Sequence, residues 1–160
     1  MNRIPEGGAV LDLAAGSGRH SRLLQEAGYR VTAADRDVSV LKGITGVSVI
    51  EIDLEKEPWP FAEAGFAGIV VVNYLHRPLF GPIANALKNG GILIYQTFAV
   101  GNEHYGRPKN PDFLLKSGEL LDAFTPALSV IAYEHGIVRR PNFSVIQRLT
   151  AIRSGLPQTL

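Results

Sequence analysis

Three aspartates occur at positions where their carboxylates could bind one ligand together. Asp12 lies in the stretch VLDLAAGSG (10–18), and Asp35 and Asp53 each directly follow a short apolar run. Such runs, rich in Val and Ile, are typical of buried parallel strands. Ligands of open α/β sheets bind at the carboxyl ends of the strands. We therefore expect the three carboxylates side by side at one edge of a sheet.

Each of these carboxylates suits a different group of a ligand. At the end of the first strand, Asp12 suits a positively charged group better than a pyrophosphate. Asp35 is placed to accept hydrogen bonds from both hydroxyls of a ribose. Asp53 can accept a hydrogen bond from an adenine amino group, and the backbone N–H of Leu54 can donate to the ring. The three acids together therefore indicate an adenosine-type cofactor.

The glycine-rich turn after Asp12 argues against two common phosphate sites. A nicotinamide fingerprint has its third glycine three residues after Gly18, and this chain has Ser21 there. A phosphate-binding loop needs Lys-Ser or Lys-Thr directly after its glycines, and none follows here. Taken with the three acids, Gly16 and Gly18 favour cofactor binding over a tight turn alone.

The composition is that of an ordinary globular protein. The chain has 160 residues, of which 46% are hydrophobic and 19% charged, and its formal net charge is +1. It contains no cysteine, which excludes disulfides, thiolate zinc sites and cysteine nucleophiles. The histidine spacing suggests no metal. We find neither a signal-peptide pattern nor an apolar run of about 18 residues, and we expect a cytoplasmic protein without membrane contact.

The apolar runs alternate with helical stretches, which predicts a doubly wound α/β fold with a mainly parallel sheet. Helices are predicted over 19–28, with Leu23, Leu24 and Ala27 on one face and Gly28 as C-cap, and over 78–91, ended by glycines. A third is predicted over 117–124, with Ser117 as N-cap. Strands are predicted over 9–13, 30–34, 47–52, 67–73, 91–98, 128–136 and 143–153.

The last two strands are joined by the short turn IVRRPN, which predicts an antiparallel hairpin. Before them, residues 99–113 form a long polar loop of the kind that often carries function. We expect one domain over 1–153 and a loose tail over 154–160.

The sequence resembles the class I S-adenosylmethionine-dependent methyltransferases over nearly its whole length. VLDLAAGSG resembles their first motif, VTAADRD their second-strand acid, IDLE their adenine motif and VVVNYLHRPL the segment at strand four. The resemblance implies a Rossmann-like, seven-stranded sheet of order 3-2-1-4-5-7-6. Within the class, NYLHRPL (73–79) and the segment 101–121 are most similar to uncharacterised bacterial methyltransferases loosely related to the tellurite-resistance type.

Two features depart from the family pattern. Ala14 replaces the first glycine of the first motif, which is a tolerated change because its Cβ is small. The first strand begins near residue 9, so we expect the site to lack the helices that often cover the cofactor and to be open.

The resemblance also implies roles for individual residues. Asn73 and Tyr74 are expected to frame the transferred methyl group, and His76, Tyr95 or His104 is expected to accept a proton when the acceptor has one to lose. The residues assigned to binding S-adenosyl-L-methionine are Asp12, Ala14, Gly16, Gly18, Asp35, Arg36, Asp53, Leu54 and Asn73.

The acceptor is less well defined by the sequence. A cluster of cations is expected at the carboxyl edge of the sheet, and it suggests a small anionic acceptor. RNA is a second choice, because the domain is near neutral and lacks interleaved aromatics. A nicotinamide oxidoreductase, a non-catalytic binding protein that retains the fold, and a homodimer formed through the late strands are the remaining alternatives. The members of the expected cluster are Arg77, Arg107, Lys109, Arg139 and Arg140.

Overall fold

Seven strands form a single sheet in the computed structural model, which describes residues 3–154. The strands are β1 (Ala9–Leu13), β2 (Arg30–Asp35), β3 (Val47–Glu51), β4 (Phe66–Val72), β5 (Leu87–Phe98), β6 (Ser129–Val138) and β7 (Ser144–Ile152). Their order is β3-β2-β1-β4-β5-β7-β6. The first five strands are parallel to one another, whereas β7 is antiparallel to both β5 and β6. The predicted fold class and strand order are confirmed.

The central strands carry the core because their side chains are buried on both faces of the sheet. Leu11 of β1, Ile69 of β4 and Leu93 of β5 are fully buried. Against one face pack two short helices, α2 (Phe80–Ala86) and α3 (Glu119–Phe124). Phe80 of α2 and Phe124 of α3 contact Tyr95 with ring centroids 6.0 and 5.8 Å away, and they contact each other at 5.3 Å. This packing fixes the strand ends at which the site is built.

The helix α1 (Arg19–Glu26) follows the glycine turn and ends as the sequence predicts. Gly28 has a φ of 86°, and the N–H of Tyr29 donates to the carbonyl of Leu24 across the helix end, as in a Schellman motif. The predicted apolar face is wrong, because Leu23 is 46% exposed and Ala27 is exposed as well.

The orientation of α1 is explained by a polar contact. Ser21 is fully buried, and its hydroxyl donates a 2.6 Å hydrogen bond to Oδ2 of Asp12 at the end of β1. Ser21 and Leu24, three residues apart, therefore form the buried face of the helix. Hydrophobicity alone does not predict this rotation.

The second predicted helix is too long. α2 ends at Ala86, four residues before the first glycine, and Leu87 pairs with Phe66 in the sheet. The guanidinium of Arg153 donates to the carbonyls of Asn85 and Leu87 at 2.7 and 2.6 Å, which satisfies acceptors at the helix end. A contact from the far end of the chain thus sets this boundary.

The start of the third helix also differs from the prediction. The N-cap of α3 is Gly118, with a φ of 73°, and Ser117 provides no cap. The carboxylate of Glu119 accepts from the N–H of Lys116 at 2.7 Å instead.

The boundaries at the end of the chain are described only in part. The antiparallel hairpin of β6 and β7 is confirmed, and its strands are joined through residues 139–143. The predicted tail falls on residues 154–160, of which 155–160 lie outside the described residues. None of the helices within residues 3–154 has the length and apolar character needed to cross a membrane.

Candidate functional site

The turn between β1 and α1 has three residues in the left-handed region. Ala14, Gly16 and Gly18 have φ angles of 54°, 54° and 73°. A Cβ added at Gly18 would lie 2.4 Å from Cδ1 of Ile44, whereas one added at Gly16 would meet no atom within 4 Å. The positive φ disfavours a side chain at both glycines; one at Gly18 would also crowd Ile44, whereas Gly16 leaves open space beside the turn.

Asp12 is a buried carboxylate beside this turn. Its residue is only 2% exposed, and Oδ2 accepts the hydrogen bond from Ser21. Burial raises the pKa of the Asp12 carboxyl above its ordinary value, and the bond from Ser21 offsets part of that rise. A positively charged ligand group placed here would compensate the buried charge.

Asp35 ends β2 and holds the glycine turn. Its Oδ2 accepts from the N–H of Gly16 at 2.8 Å, and its Oδ1 accepts from the N–H of Asp37 at 3.0 Å. A carboxylate has about four lone-pair sites, so each oxygen can accept one further hydrogen bond. The predicted ribose-binding role is compatible with this geometry.

Asp53 follows β3 and forms local contacts of its own. Its Oδ1 accepts from the N–H of Glu55 at 3.1 Å, and its Oδ2 lies 3.2 Å from the ammonium of Lys56. The hydrogen bond from Glu55 and the contact with Lys56 hold the pKa of Asp53 below its ordinary value. Asp53 is therefore ionised at neutral pH and can act as a hydrogen-bond acceptor.

These strand ends border a cavity of about 440 Å³, which we call the acidic cleft. Six residues that the sequence assigns to cofactor binding line it, and Glu55 and Phe113 line it without having been predicted. Phe113 comes from the long loop after β5, a contact that only the folded chain reveals. The six predicted residues are Ala14, Asp35, Arg36, Asp53, Leu54 and Asn73.

A second cavity, of about 300 Å³, lies beside the glycine turn, and we call it the glycine-turn pocket. Asp12 and Gly16 line it, and it shares Ala14 and Asn73 with the acidic cleft. Gly18 packs against side chains on its other side. The two cavities form one elongated surface along the ends of β1 to β4.

Asn73 stands where the cavities meet, directly after β4. Its φ of 57° is unusual for a residue other than glycine, and its N–H donates to the carbonyl of Gln96 at 2.8 Å. Strained residues of this kind persist where the surrounding structure holds them, and they are frequent at functional sites.

Tyr74 lines the acidic cleft and has a buried hydroxyl without a hydrogen-bond partner among the described residues. Burial raises the pKa of Tyr74 to about 12, and the charges of Glu55, Asp53 and Asp35 add to the rise. The phenol therefore stays protonated at neutral pH.

Tyr95, predicted as one possible proton acceptor, lies in the core. It is 1% exposed, and its hydroxyl donates to the carbonyl of Tyr74 at 2.9 Å. Burial raises the pKa of Tyr95. The expectation that it accepts a proton from a substrate is wrong, because its oxygen is enclosed and holds its own proton.

A third cavity, of about 710 Å³, adjoins the glycine-turn pocket, and we call it the basic cavity. Arg19, Val72 and Asn73 line both of them. No aspartate or glutamate from the described residues lines the basic cavity. Its basic residues are Arg19, His104, Arg107 and Arg140.

The predicted cluster of cations is only partly assembled. Of its members, Arg107 and Arg140 line the basic cavity, whereas Lys109 and Arg139 do not. Arg77 binds the carboxylate of Glu119 through Nε at 2.5 Å and Nη2 at 3.1 Å.

The same guanidinium of Arg77 also donates to the carbonyls of Asp112 and Leu114 at 2.8 and 3.0 Å. Including it among the cations that face an acceptor is wrong, since this side chain ties the loop after β5 to α3.

His76 lines none of the three named cavities. Within residues 3–154, no group of three or more His, Asp or Glu residues could hold a metal ion.

No protein-family model matches the sequence, and no curated protein sequence matches it either. Solved structures are similar in fold. A Mesorhizobium loti S-adenosylmethionine-dependent methyltransferase superposes with a TM-score of 0.77 at 17% identity, covering 96% of this chain and 94% of that chain. TehB from Haemophilus influenzae gives 0.76 at 17% identity, covering 94% of this chain and 59% of TehB.

A third similar structure carries ligands. It is the Burkholderia thailandensis 1,6-didemethyltoxoflavin-N1-methyltransferase, with 1,6-didemethyltoxoflavin and S-adenosylhomocysteine bound. Its TM-score is 0.69 at 20% identity, and the match covers 93% of this chain and 72% of that chain. The chain thus has the fold of class I S-adenosylmethionine-dependent methyltransferases, including those similar to TehB.

Proposed function

We propose that this protein is an S-adenosylmethionine-dependent methyltransferase that acts on a small anionic acceptor. One observation carries the proposal: an elongated acidic surface for a cofactor joins a cavity without acids, lined by cations, at Asn73. A cofactor and an acceptor bound on the two sides would meet at this junction.

The residues present fit the cofactor part by part. Asp12, buried in the glycine-turn pocket, suits the ammonium of the methionine portion. The open space beside Gly16 can accept the aliphatic part of that methionine portion. Asp35 has free lone pairs for the ribose hydroxyls, and Asp53 can accept from the adenine amino group. The N–H of Leu54 has no hydrogen-bond partner within residues 3–154 and can donate to the ring.

The chain's own residues position the reaction. When bound, S-adenosylmethionine would supply a methyl group on a sulfonium, a group that can pass to an acceptor because the electron pair of the carbon–sulfur bond stays on sulfur. Asn73 and Tyr74 would fix the direction of approach at the junction. Orientation of this kind can contribute up to roughly 7–11 kcal/mol to such a reaction.

A proton must leave when the acceptor is a hydroxyl or a protonated amine. Of the predicted bases, His104 lines the basic cavity, and we assign it this role. Its Nε2 lies 3.7 Å from a carboxylate oxygen of Glu103. His76 lies in the same loop as Tyr74 but lines none of the three named cavities.

Calorimetric titration with S-adenosylhomocysteine tests the cofactor assignment, with NADH as the control ligand. We expect micromolar binding of the first and none of the second. Asp35→Asn should weaken binding at least tenfold, because a carboxylate accepts charge-assisted hydrogen bonds that an amide does not. Asp37→Asn is the matched control, since this neighbouring exposed acid does not line the acidic cleft.

Wild-type protein that binds neither ligand would overturn the cofactor assignment. Tight binding that is unchanged by Asp35→Asn would overturn the role of that carboxylate. A cofactor that binds without any turnover on small acids or RNA would favour the non-catalytic alternative. The cytoplasmic location and the homodimer stay predictions.

A further inference from the structure

We infer that the basic cavity binds a planar aromatic acid, whose ring lies against Tyr105 and Phe143 and whose anionic group is held by Arg107 and Arg140. The inference rests on the proposed methyltransferase function and names the acceptor class for it. Two loops distant in sequence form this surface, and each supplies one aromatic ring and one guanidinium.

The two guanidinium groups are the first part of the argument. Arg107 and Arg140 are exposed, and within residues 3–154 neither forms an ion pair. Only Arg77 and Arg148 among the arginines of residues 3–154 are engaged by carboxylates, those of Glu119 and Glu134, so what distinguishes Arg107 and Arg140 is their place in one cavity. Because no acidic residue among those described lines the basic cavity, its electrostatic potential favours an anion. A planar guanidinium can form two parallel hydrogen bonds with a carboxylate.

The two rings are the second part. Tyr105 and Phe143 stack with their centroids 6.1 Å apart and their planes at 20°. They remain 46% and 55% exposed, which is unusual for such large apolar groups in a cavity of the protein. Exposed parallel faces of this kind bind a further flat ring by stacking and by removal of apolar surface from water.

The size and position of the cavity are the third part. Its volume of about 710 Å³ is in the range of sites for small molecules. Arg19, Val72 and Asn73 line both this cavity and the glycine-turn pocket, so a ring held at the two loops can extend a substituent to the junction. A polynucleotide is less suited, because the net charge is only +1.

Titration of small-molecule probes into protein loaded with S-adenosylhomocysteine tests the inference. The probes are benzoate, 1-naphthoate and indole-3-carboxylate, each compared with its primary amide, and benzoate also with cyclohexanecarboxylate. We expect the best aromatic carboxylate to bind about tenfold more tightly than its amide, because the charged hydrogen bonds are lost. We expect cyclohexanecarboxylate to bind about three- to tenfold more weakly than benzoate, because stacking is lost.

Variants separate the two parts of the site. Arg107→Gln and Arg140→Gln should each reduce the preference for carboxylate over amide, and Phe143→Leu should reduce the preference for benzoate over cyclohexanecarboxylate. Arg139→Gln is the matched control, because it removes the same charge from the same turn but lies outside the cavity lining. Affinity for S-adenosylhomocysteine should be unchanged in all four variants.

The possible failures are distinct. Wild-type protein that does not bind S-adenosylhomocysteine contradicts the proposed function itself. Normal cofactor binding with no preference for carboxylates over amides, or with equal losses in Arg139→Gln and Arg140→Gln, overturns the inference alone. A short RNA that displaces every probe, with an affinity that falls steeply with salt, overturns it in favour of the RNA alternative.

Discussion

Replacing Asp12 by asparagine should make the free protein more stable and the cofactor complex weaker. Asp12 is 2% exposed, and its carboxylate accepts a hydrogen bond from the Ser21 hydroxyl. The asparagine oxygen can keep that bond while the buried charge disappears. We expect a gain of about 1 kcal/mol in the free energy of unfolding at pH 7, or about 2–4 °C in Tm for a chain of this size.

The pH dependence of this gain has a definite sign. Burial raises the pKa of Asp12 in the folded state above its value of 3.8 in the unfolded chain. Below that value both states hold the proton, and the variant has no advantage. As the pH rises, the unfolded state releases its proton first, so the wild-type protein loses stability until its folded pKa is passed. The difference should therefore grow above pH 3.8 and then stay constant.

Differential scanning calorimetry with and without S-adenosylhomocysteine measures both effects. Loss of a charge-assisted hydrogen bond worth about 1.5–3 kcal/mol should weaken ligand binding roughly 10- to 150-fold. Ser21→Ala is the contrasting variant, because it leaves the carboxylate buried without its partner and should lower Tm. A variant Asp12→Asn that is less stable than wild type at pH 7, or that binds the ligand equally well, would refute the reasoning.

Three further predictions concern packing and catalysis. Arg77→Lys loses the two-pronged contact with a carboxylate and should cost about 1–3 kcal/mol of stability in calorimetry, with unchanged affinity for S-adenosylhomocysteine; an unchanged Tm would contradict its structural role. Gly16→Ala and Gly18→Ala both place a side chain at a positive φ and should each lower stability by about 1 kcal/mol. Gly18→Ala should cost up to about 3 kcal/mol because its Cβ would also crowd Ile44, whereas Gly16→Ala should in addition weaken ligand binding in titrations, and the reverse order would be a failure. His104→Ala should slow methylation of a hydroxyl acceptor by a factor of about 10² or more, and full turnover by both His104→Ala and His76→Ala at every pH would remove histidine as the base.

The sequence predicts the sheet well because local and tertiary requirements agree there. In central strands such as β1 and β4, the apolar runs are buried on both faces, so their pattern indicates directly where they lie in the sheet. The helices are predicted less well because distant partners decide them. Ser21 turns α1 through its bond to Asp12, and Arg153 engages the carbonyls at the end of α2. Neither contact has a signature in the local pattern.

In the candidate site, too, some residues can be predicted from the sequence and others cannot. Strand-end acids such as Asp35 can be located from topology, because every parallel strand ends at the same edge of the sheet. Loop residues cannot: Phe113 lines the acidic cleft, although its loop starts after a different strand. Arg77 resembles a free cation in sequence, but its partner Glu119 lies 42 residues further along the chain.

The meeting of separate cavities at Asn73 has an evolutionary consequence. The acids proposed for the cofactor fall within residues 12–53, whereas the rings and cations proposed for the acceptor lie within 104–143. Mutations in the two later loops can therefore alter acceptor choice while the cofactor surface is inherited unchanged. A chimaera that carries the corresponding two loops of another methyltransferase of this fold should keep its cofactor and exchange its substrate.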